Sequence, residues 1–341
     1  MREMRAAIKA IASYLPVGEL TNEQIAQEVG EFDAEKIFDK TGIAARRVAA
    51  EGECASDLGV AAAHHLFESG ACSSDDIDFL LFCTQSPDYF LPTTACTMQS
   101  RLNLRTDCGA IDFNQGCSGY VYGLALAKSL IETGTARNVL LITADTYTKF
   151  INPKDRSVRT LFGDGAAATL IGATESEREL IGPFVFGTDG SGAEDLIVPA
   201  GGMRRPVDAE ARIEKEDEQG NRRSACDLYM NGGAIFNFTL QTVPRTLDQL
   251  LEKSNHKLDD VDYFIPHQAN KFMLDRLRVK MKIPAEKFFT DMKMTGNTVS
   301  STIPIAFESA KKQNLIKSGD KVALIGFGVG LSWAATIVEV V

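Results

Sequence analysis

CGAIDFNQGCSGYVYGLALAKSLIETG, residues 108–134, is the stretch whose reading decides the fold. A short apolar run with Ala110, Ile111 and Phe113 reads as a buried strand. It breaks at Asn114-Gln115-Gly116 into Cys117-Ser118-Gly119 and a long apolar helix ending near Gly134. Cys117 is thereby placed at a strand-to-helix turn, where the unpaired amides and positive dipole end of a helix stabilise a thiolate. Such a site is expected to draw a cysteine pKa from about 8.5 to roughly 7 or lower. The helix is apolar on most sides (Tyr120, Val121, Leu124, Ala125, Leu126, Leu130, Ile131), which predicts a buried element holding the turn rigidly. A lone cysteine is more often inert core filler. The small residues on both sides of Cys117 favour a reactive thiol instead.

The 341 residues, 44% of them hydrophobic, suffice for one large or two ordinary globular domains. No run of about eighteen apolar residues is present, and MREMRAAIKAIASYLP lacks the features of a signal peptide, so a soluble cytoplasmic protein is expected. Seven cysteines without a CxxC pair argue against a disulfide framework or zinc site, and most are expected to be reduced core residues. A net charge of −10 disfavours general nucleic-acid binding, so an acidic partner would need a local basic patch.

Along the chain, Ile8 to Leu15 reads as a first strand. Thr21 with Gln24 forms a capping box opening a helix over 22–29. The segment 37–53 is turn-rich and basic, and a helix follows over 56–69. In that helix His64 and His65 are adjacent and cannot chelate one metal from one face. A strand over 77–85, a helix around 93–102, the central stretch, a strand over 138–145 and a buried strand within 162–173 complete a first α/β unit.

The pattern then repeats. SSDDIDFLLFCTQS (73–86) matches HKLDDVDYFIPHQA (256–269), and GDKVALIGFGVGLSWAATIVEV (319–340) gives strand, Gly-rich turn and strand as 138–172 does. Self-similarity at half the chain length predicts two related α/β halves, residues 1–175 and 176–341. Between them, 204–224 is highly charged and poor in large apolar residues, which predicts an exposed, mobile insertion without a catalytic role.

Two polar stations fall in the second half. His267, in IPHQAN, stands just past a strand end, where α/β proteins place functional groups. Asn297, in MTGNTVSSTIP, lies in a loop before a helix. Each alone is more often structural. With a cysteine at a helix N-terminus they supply a nucleophile, a proton-handling imidazole and an amide donor, the parts needed for thioester chemistry.

DFNQGCSGYVYGL around Cys117, PHQAN, GNTVSSTIP, FGDGAAA (162–168) and FGVG (327–330) resemble the β-ketoacyl-[acyl-carrier-protein] synthase III family of the thiolase superfamily, from SYLP (13–16) to the C-terminus. The resemblance implies a five-layered αβαβα α/β fold of two duplicated halves, a homodimer, and a catalytic Cys117-His267-Asn297 triad. It implies a decarboxylative Claisen condensation of an acyl thioester with malonyl-acyl carrier protein. No cofactor is implied; coenzyme A or phosphopantetheine thioesters would be the substrates. Backbone amides of Cys117 and Val329 would form the oxyanion hole, although Val329 interrupts the family's usual glycine run.

Phe236 and Phe327 would wall the pocket, Leu91 would line the acyl site, in the family often across the dimer interface, and Arg156 would contact substrate. Lys36 and Lys40 match positions where well-known members carry Trp and Arg to sandwich the adenine of coenzyme A. A basic cluster, Lys271, Arg276, Arg278, Lys280 and Lys282, would dock the acidic acyl carrier protein. The alternative on the same fold is an acyltransferase passing the acyl group to oxygen or nitrogen without decarboxylation. A non-catalytic partner protein would be expected to lack Cys117. A nicotinamide dehydrogenase is disfavoured, because GFGVG at 326–330 leads into a strand.

Overall fold

The computed structural model describes residues 3–30 and 33–341; Met1 and Arg2, the start of the segment read as carrying no leader, lie outside it. The chain opens with β1 (Glu3–Tyr14), β2 (Gly18–Thr21), α1 (Asn22–Val29), α2 (Ala34–Thr41), β3 (Ala45–Val48) and α3 (Ala55–Glu68). β4 (Phe79–Cys83), α4 (Thr94–Arg101), β5 (Gly109–Phe113), α5 (Gly119–Glu132), β6 (Asn138–Asp145), α6 (Arg156–Arg159) and β7 (Gly165–Ser176) follow. These give a five-stranded sheet in the order β1-β7-β6-β4-β5, in which β4 runs parallel to β5 and β6.

After β8 (Ile181–Thr188) come the short strands β9 (Leu196–Ile197), β10 (Lys215–Glu216), β11 (Arg222–Arg223) and β12 (Tyr229–Met230). α7 (Gly232–Ser254), β13 (Tyr263–Pro266), α8 (Lys271–Lys280), α9 (Thr302–Lys312), β14 (Lys321–Gly328) and β15 (Ser332–Glu339) complete the fold. The second sheet has the order β13-β14-β15-β8.

Five layers result. α3 and α4 cover the outer face of the first sheet over a core with Leu58, Phe82 and Met98. α5 and α9 lie between the two sheets around Tyr120, Leu124, Ile303 and Phe307. α7 and α8 close the second sheet over Leu247, Phe264 and Leu277. α5 touches strands of both sheets, which is why its sequence is apolar over so much of its circumference. Its burial is nonetheless incomplete, since Leu126 is exposed and Ala125 and Leu130 are only half-buried.

The internal repeat is written in matching hydrogen bonds. Asp78 accepts from the Asn138 amide (3.0 Å) just before β4 pairs with β6, and Asp262 accepts from the Lys321 amide (2.8 Å) just before β13 pairs with β14. Asp76 and Asp260 likewise accept from the amides of Ser73 (2.8 Å) and Lys257 (2.7 Å). Each half reuses one aspartate to cap a turn and a second to set strand register.

Several expectations need correction. The first strand begins earlier, at Glu3, because its N-terminal half pairs with the far end of β7. The segment 37–53 is not all turn: it holds the end of α2, which Asp33 caps through the amides of Glu35 and Lys36 (3.0 and 3.4 Å), and then β3. β5 is not buried in this chain. It is the outer strand of its sheet, with Ile111 42% exposed. Only Cys83 and Cys117 of the seven cysteines are buried.

The charged run 204–224 is largely exposed, but it is tied down: Ala211 and Asn221 are buried, and Arg223 bridges Asp155 (2.6 Å) and Asp217 (2.8 Å). The Thr21/Gln24 capping box is present at α1, and His64 and His65 are both exposed on α3.

Candidate active site

β5 delivers the chain to Gly116, the Gly119 amide bonds back to the Gly116 carbonyl (2.8 Å), and α5 begins with Ser118 as its cap residue. Cys117 is thus fixed at the helix entrance and is 5% exposed, facing a cavity of about 860 Å³. Gly119 permits the tight approach of this turn to β4, because a Cβ there would stand 2.4 Å from the Cys83 sulfur. Ser118 is anchored to β15 through its hydroxyl, 2.7 Å from that of Ser332.

The electrostatics of Cys117 correct the expectation of a lowered pKa. Burial pushes the thiol up to about 12, the nearby Asp145 carboxylate pushes the same way, and the amides of Cys117 and Val329 pull back less strongly. Desolvation of the thiolate outweighs the helix entrance in the free protein. The resting group is a thiol whose proton has to be taken when it reacts.

His267 follows β13, its amide bonded to the Ile325 carbonyl on β14 (2.8 Å). Burial holds its imidazole well below the usual range, at about 3, so the ring is neutral. Nδ1 lies 2.7 Å from Thr302 Oγ1, and that hydroxyl is 3.1 Å from the Val299 carbonyl. Thr302 accommodates either tautomer: it accepts from Nδ1–H while donating to Val299, or donates into Nδ1 and leaves the proton on Nε2.

Asn297 Nδ2 is 3.4 Å from His267 Nε2, while Asn297 Oδ1 accepts from the Val299 amide (2.9 Å). The FGDG motif holds this loop, with the Asn297 amide bonded to the Leu161 carbonyl (2.9 Å) and the Gly163 amide to the Asn297 carbonyl (3.0 Å). Three residues 180 positions apart along the chain at their extremes share the inner end of one cavity, together with Phe327 and Gly328.

The remaining positions divide. Phe236, Lys36, Lys40 and Arg156 line the same cavity, with Arg156 donating to the Gln219 carbonyl (2.5 Å). Leu91 does not line it: the side chain is 81% exposed, beside the equally exposed Phe90, so it contributes nothing to the pocket of its own chain.

On α8, Lys271 pairs with Asp275 (2.7 Å) and Arg276 lies over the ring of Phe272, which lines the cavity. Arg278 is half-buried and donates to the Ile283 carbonyl (3.1 Å), closing the helix end, while Lys280 and Lys282 are exposed. Sequence reasoning missed Thr302, Asp145, and the cavity contacts of Gln219 and Asn221 inside the charged run. Thr302 and Asp145 carry no signal except proximity to motifs; the other two sit in a segment whose composition speaks only of solvent.

A duplicated αβαβα architecture with a cysteine at the entrance of the central helix defines a thiolase-like protein. The sequence pattern of 3-oxoacyl-[acyl-carrier-protein] synthase III matches residues 111–190, and that of its C-terminal part matches 251–340. The β-ketoacyl-[acyl-carrier-protein] synthase III of Caldanaerobacter subterraneus subsp. tengcongensis is 36% identical, over 99% of this chain and 98% of that protein. The namesake protein of Clostridioides difficile is also 36% identical, with 98% of each chain covered. A crystal structure of a 3-oxoacyl-(acyl-carrier-protein) synthase III superposes with a TM-score of 0.97 at 54% identity, covering 98% of this chain and 99% of that one. A 3-oxoacyl-(acyl-carrier protein) synthase from Burkholderia xenovorans superposes at 0.90 with 37% identity, covering 100% and 95%. The chain belongs to the β-ketoacyl-[acyl-carrier-protein] synthase III family.

Among the described residues, no helix is long and apolar enough to cross a membrane.

Proposed function

We propose that this chain condenses an acyl thioester with malonyl-acyl carrier protein through an acyl-Cys117 intermediate, priming a fatty-acid or related chain. The observation that carries the reading is the meeting of Cys117, His267 and Asn297 at the inner end of one cavity. In the first half-reaction the Cys117 sulfur attacks the acyl carbonyl, and its proton passes through the Nε2 lone pair of His267 to the departing thiol. In the second, malonyl thioester loses carbon dioxide while Nε2–H of His267 and Nδ2–H of Asn297 donate to the thioester oxygen, which becomes the enolate oxygen. The enolate carbon attacks the acyl-Cys117 carbonyl. The amides of Cys117 and Val329, both directed at the sulfur, suit the resulting oxyanion. The C–S bond then breaks, the 3-oxoacyl carrier leaves, and one proton is taken up to restore the thiol.

Lys36, Lys40 and Arg156 at the mouth suit the phosphate of a phosphopantetheine or coenzyme A donor, and the basic residues of α8 that face solvent suit an acidic carrier protein. The open edge of β5 and the exposed Leu91 support a homodimer formed across that edge. Incubation with a panel of acyl thioesters followed by intact-mass measurement tests the first half-reaction. An adduct on wild type and none on Cys117→Ala is expected; an adduct that survives in Cys117→Ala would refute the assignment.

A further inference from the structure

The loop bearing Asn297 is held across the two halves of the molecule by a buried carboxylate that the mechanism above does not use. Asp145, at the end of β6, is fully buried. Its Oδ2 accepts from the Ser300 hydroxyl (2.5 Å) and the Ser300 amide (3.2 Å), and its Oδ1 accepts from the Gln85 amide (2.8 Å). Among the described residues, three donors and no cation meet this carboxylate.

The turn that it grips is unfavourable by itself. Val299, between Asn297 and Ser300, has φ 55°, a region that β-branched residues avoid. Two contacts hold it there: Asn297 Oδ1 takes the Val299 amide on one side, and Asp145 takes both donors of Ser300 on the other. Because Oδ1 is engaged in this way, the Asn297 amide has one orientation, with Nδ2 toward His267 and the cavity.

We propose that Asp145 is a positioning residue for Asn297: by clamping Ser300 it keeps the left-handed turn at Val299, and with it the direction of the Asn297 donor. This inference rests on the decarboxylation role given to Asn297 above. Burial pushes the Asp145 carboxyl up to about 7, so its retention as an acceptor against that cost fits a constrained function. The titratable groups facing it are Cys117, Cys83, Tyr147 and the more distant carboxyl of Asp164. All are acidic, so loss of its charge relieves repulsion on a Cys117 thiolate.

The test separates the two half-reactions in full-length Ser300→Ala and Asp145→Asn proteins and in the double variant. Ser300→Ala deletes one hydroxyl and leaves the fold's larger contacts in place, so it decides the matter if Asp145→Asn fails to fold. In Asp145→Asn the side-chain nitrogen cannot accept, which breaks the grip on Ser300 or Gln85. Each variant is expected to form acyl-Cys117 from an acyl thioester at the wild-type extent, while kcat for malonyl-thioester decarboxylation falls roughly 10- to 100-fold. KM is expected to change little. The double variant is expected to be no worse than the poorer single one, because both remove the same clamp. Iodoacetamide labelling of Cys117 at fixed pH is expected to be at least as fast in Asp145→Asn as in wild type, an effect that general loosening of the core does not produce selectively at Cys117.

Decarboxylation at the wild-type rate in Ser300→Ala, or independent, additive losses in the double variant, would overturn the inference while leaving the functional reading intact. A wild-type protein that forms acyl-Cys117 yet decarboxylates no malonyl thioester would overturn that reading, and the role of Asp145 with it.

Discussion

Gly328 faces Cys117 so closely that a Cβ at that position would lie 2.9 Å from the sulfur and 3.0 Å from the Cys117 Cβ. β14 ends there and hands the chain to Val329, whose amide approaches the same sulfur. In the proposed reaction, the approach of β14 to the helix entrance would set both the space for a tetrahedral intermediate and the position of one oxyanion donor. Gly328→Ala is therefore expected to lower the rate of acyl-Cys117 formation by about a hundredfold, with the protein still folded. Rapid-quench mass measurement of the acyl adduct checks it; acylation at the wild-type rate would show that the sulfur does not need this space.

Thr302 offers a second test, since its hydroxyl is the only partner of His267 Nδ1 among the described residues. Thr302→Val keeps the shape and removes the hydroxyl, leaving Nδ1 buried without a partner. Decarboxylation is expected to fall by about tenfold or more, with Thr302→Ser keeping most of it. Equal rates in the Val and Ser variants would remove Thr302 from the account.

The pH dependence of Cys117 follows from its raised pKa. With the thiol pushed up to about 12, the free enzyme holds little thiolate at neutrality, and the fraction grows as pH rises toward that value. Iodoacetamide labelling of Cys117 in the free enzyme is expected to be slow at pH 7 and to climb steadily to pH 10, trailing the exposed Cys96 at neutral pH. Peptide mapping of the labelled protein reads both sites together. Rapid labelling of Cys117 that levels off below pH 8 would show that the helix entrance outweighs burial after all.

That contrast also marks what the sequence made legible. The strand-turn-helix around Cys117, the repeat of 73–86 in 256–269 and the polar stations at 267 and 297 were readable, because local pattern and motif order carry them. The balance at Cys117 was not: the helix entrance is local, whereas desolvation comes from Phe327 and Gly328 at the end of β14, more than two hundred residues away. The hold of Asp145 on Ser300 was invisible for the same reason, being a contact between the two halves. Leu91 is a different case. Its place before Pro92 was read through the family's acyl site, often lined across the dimer interface, and its own chain leaves it in solvent.

Donor choice is open to a direct prediction at the cavity mouth. Lys36 and Lys40 offer charge without the flat faces that stack on adenine, whereas Arg276 lies on Phe272 at the cavity wall and Lys280 faces solvent on the same helix. An acyl-carrier-protein thioester is expected to acylate Cys117 with a higher kcat/KM than the matching coenzyme A thioester at low salt. Reversal of charge at Arg276 and Lys280 is expected to abolish the difference. Equal kcat/KM for both donors, indifferent to the reversal, would show that α8 does not guide the carrier.

The central claim is that Cys117, His267 and Asn297 act together in a decarboxylative condensation. The most direct measurement isolates acyl-Cys117, adds malonyl-acyl carrier protein, and counts released carbon dioxide against loss of the adduct and gain of a 3-oxoacyl carrier. The account predicts that the three change in equal amounts in wild type, that Asn297→Ala accumulates the adduct without releasing carbon dioxide, and that His267→Ala forms the adduct more slowly and releases no carbon dioxide from it. Transfer of the acyl group to an oxygen or nitrogen acceptor with no carbon dioxide released, at wild-type rates in both variants, would contradict it.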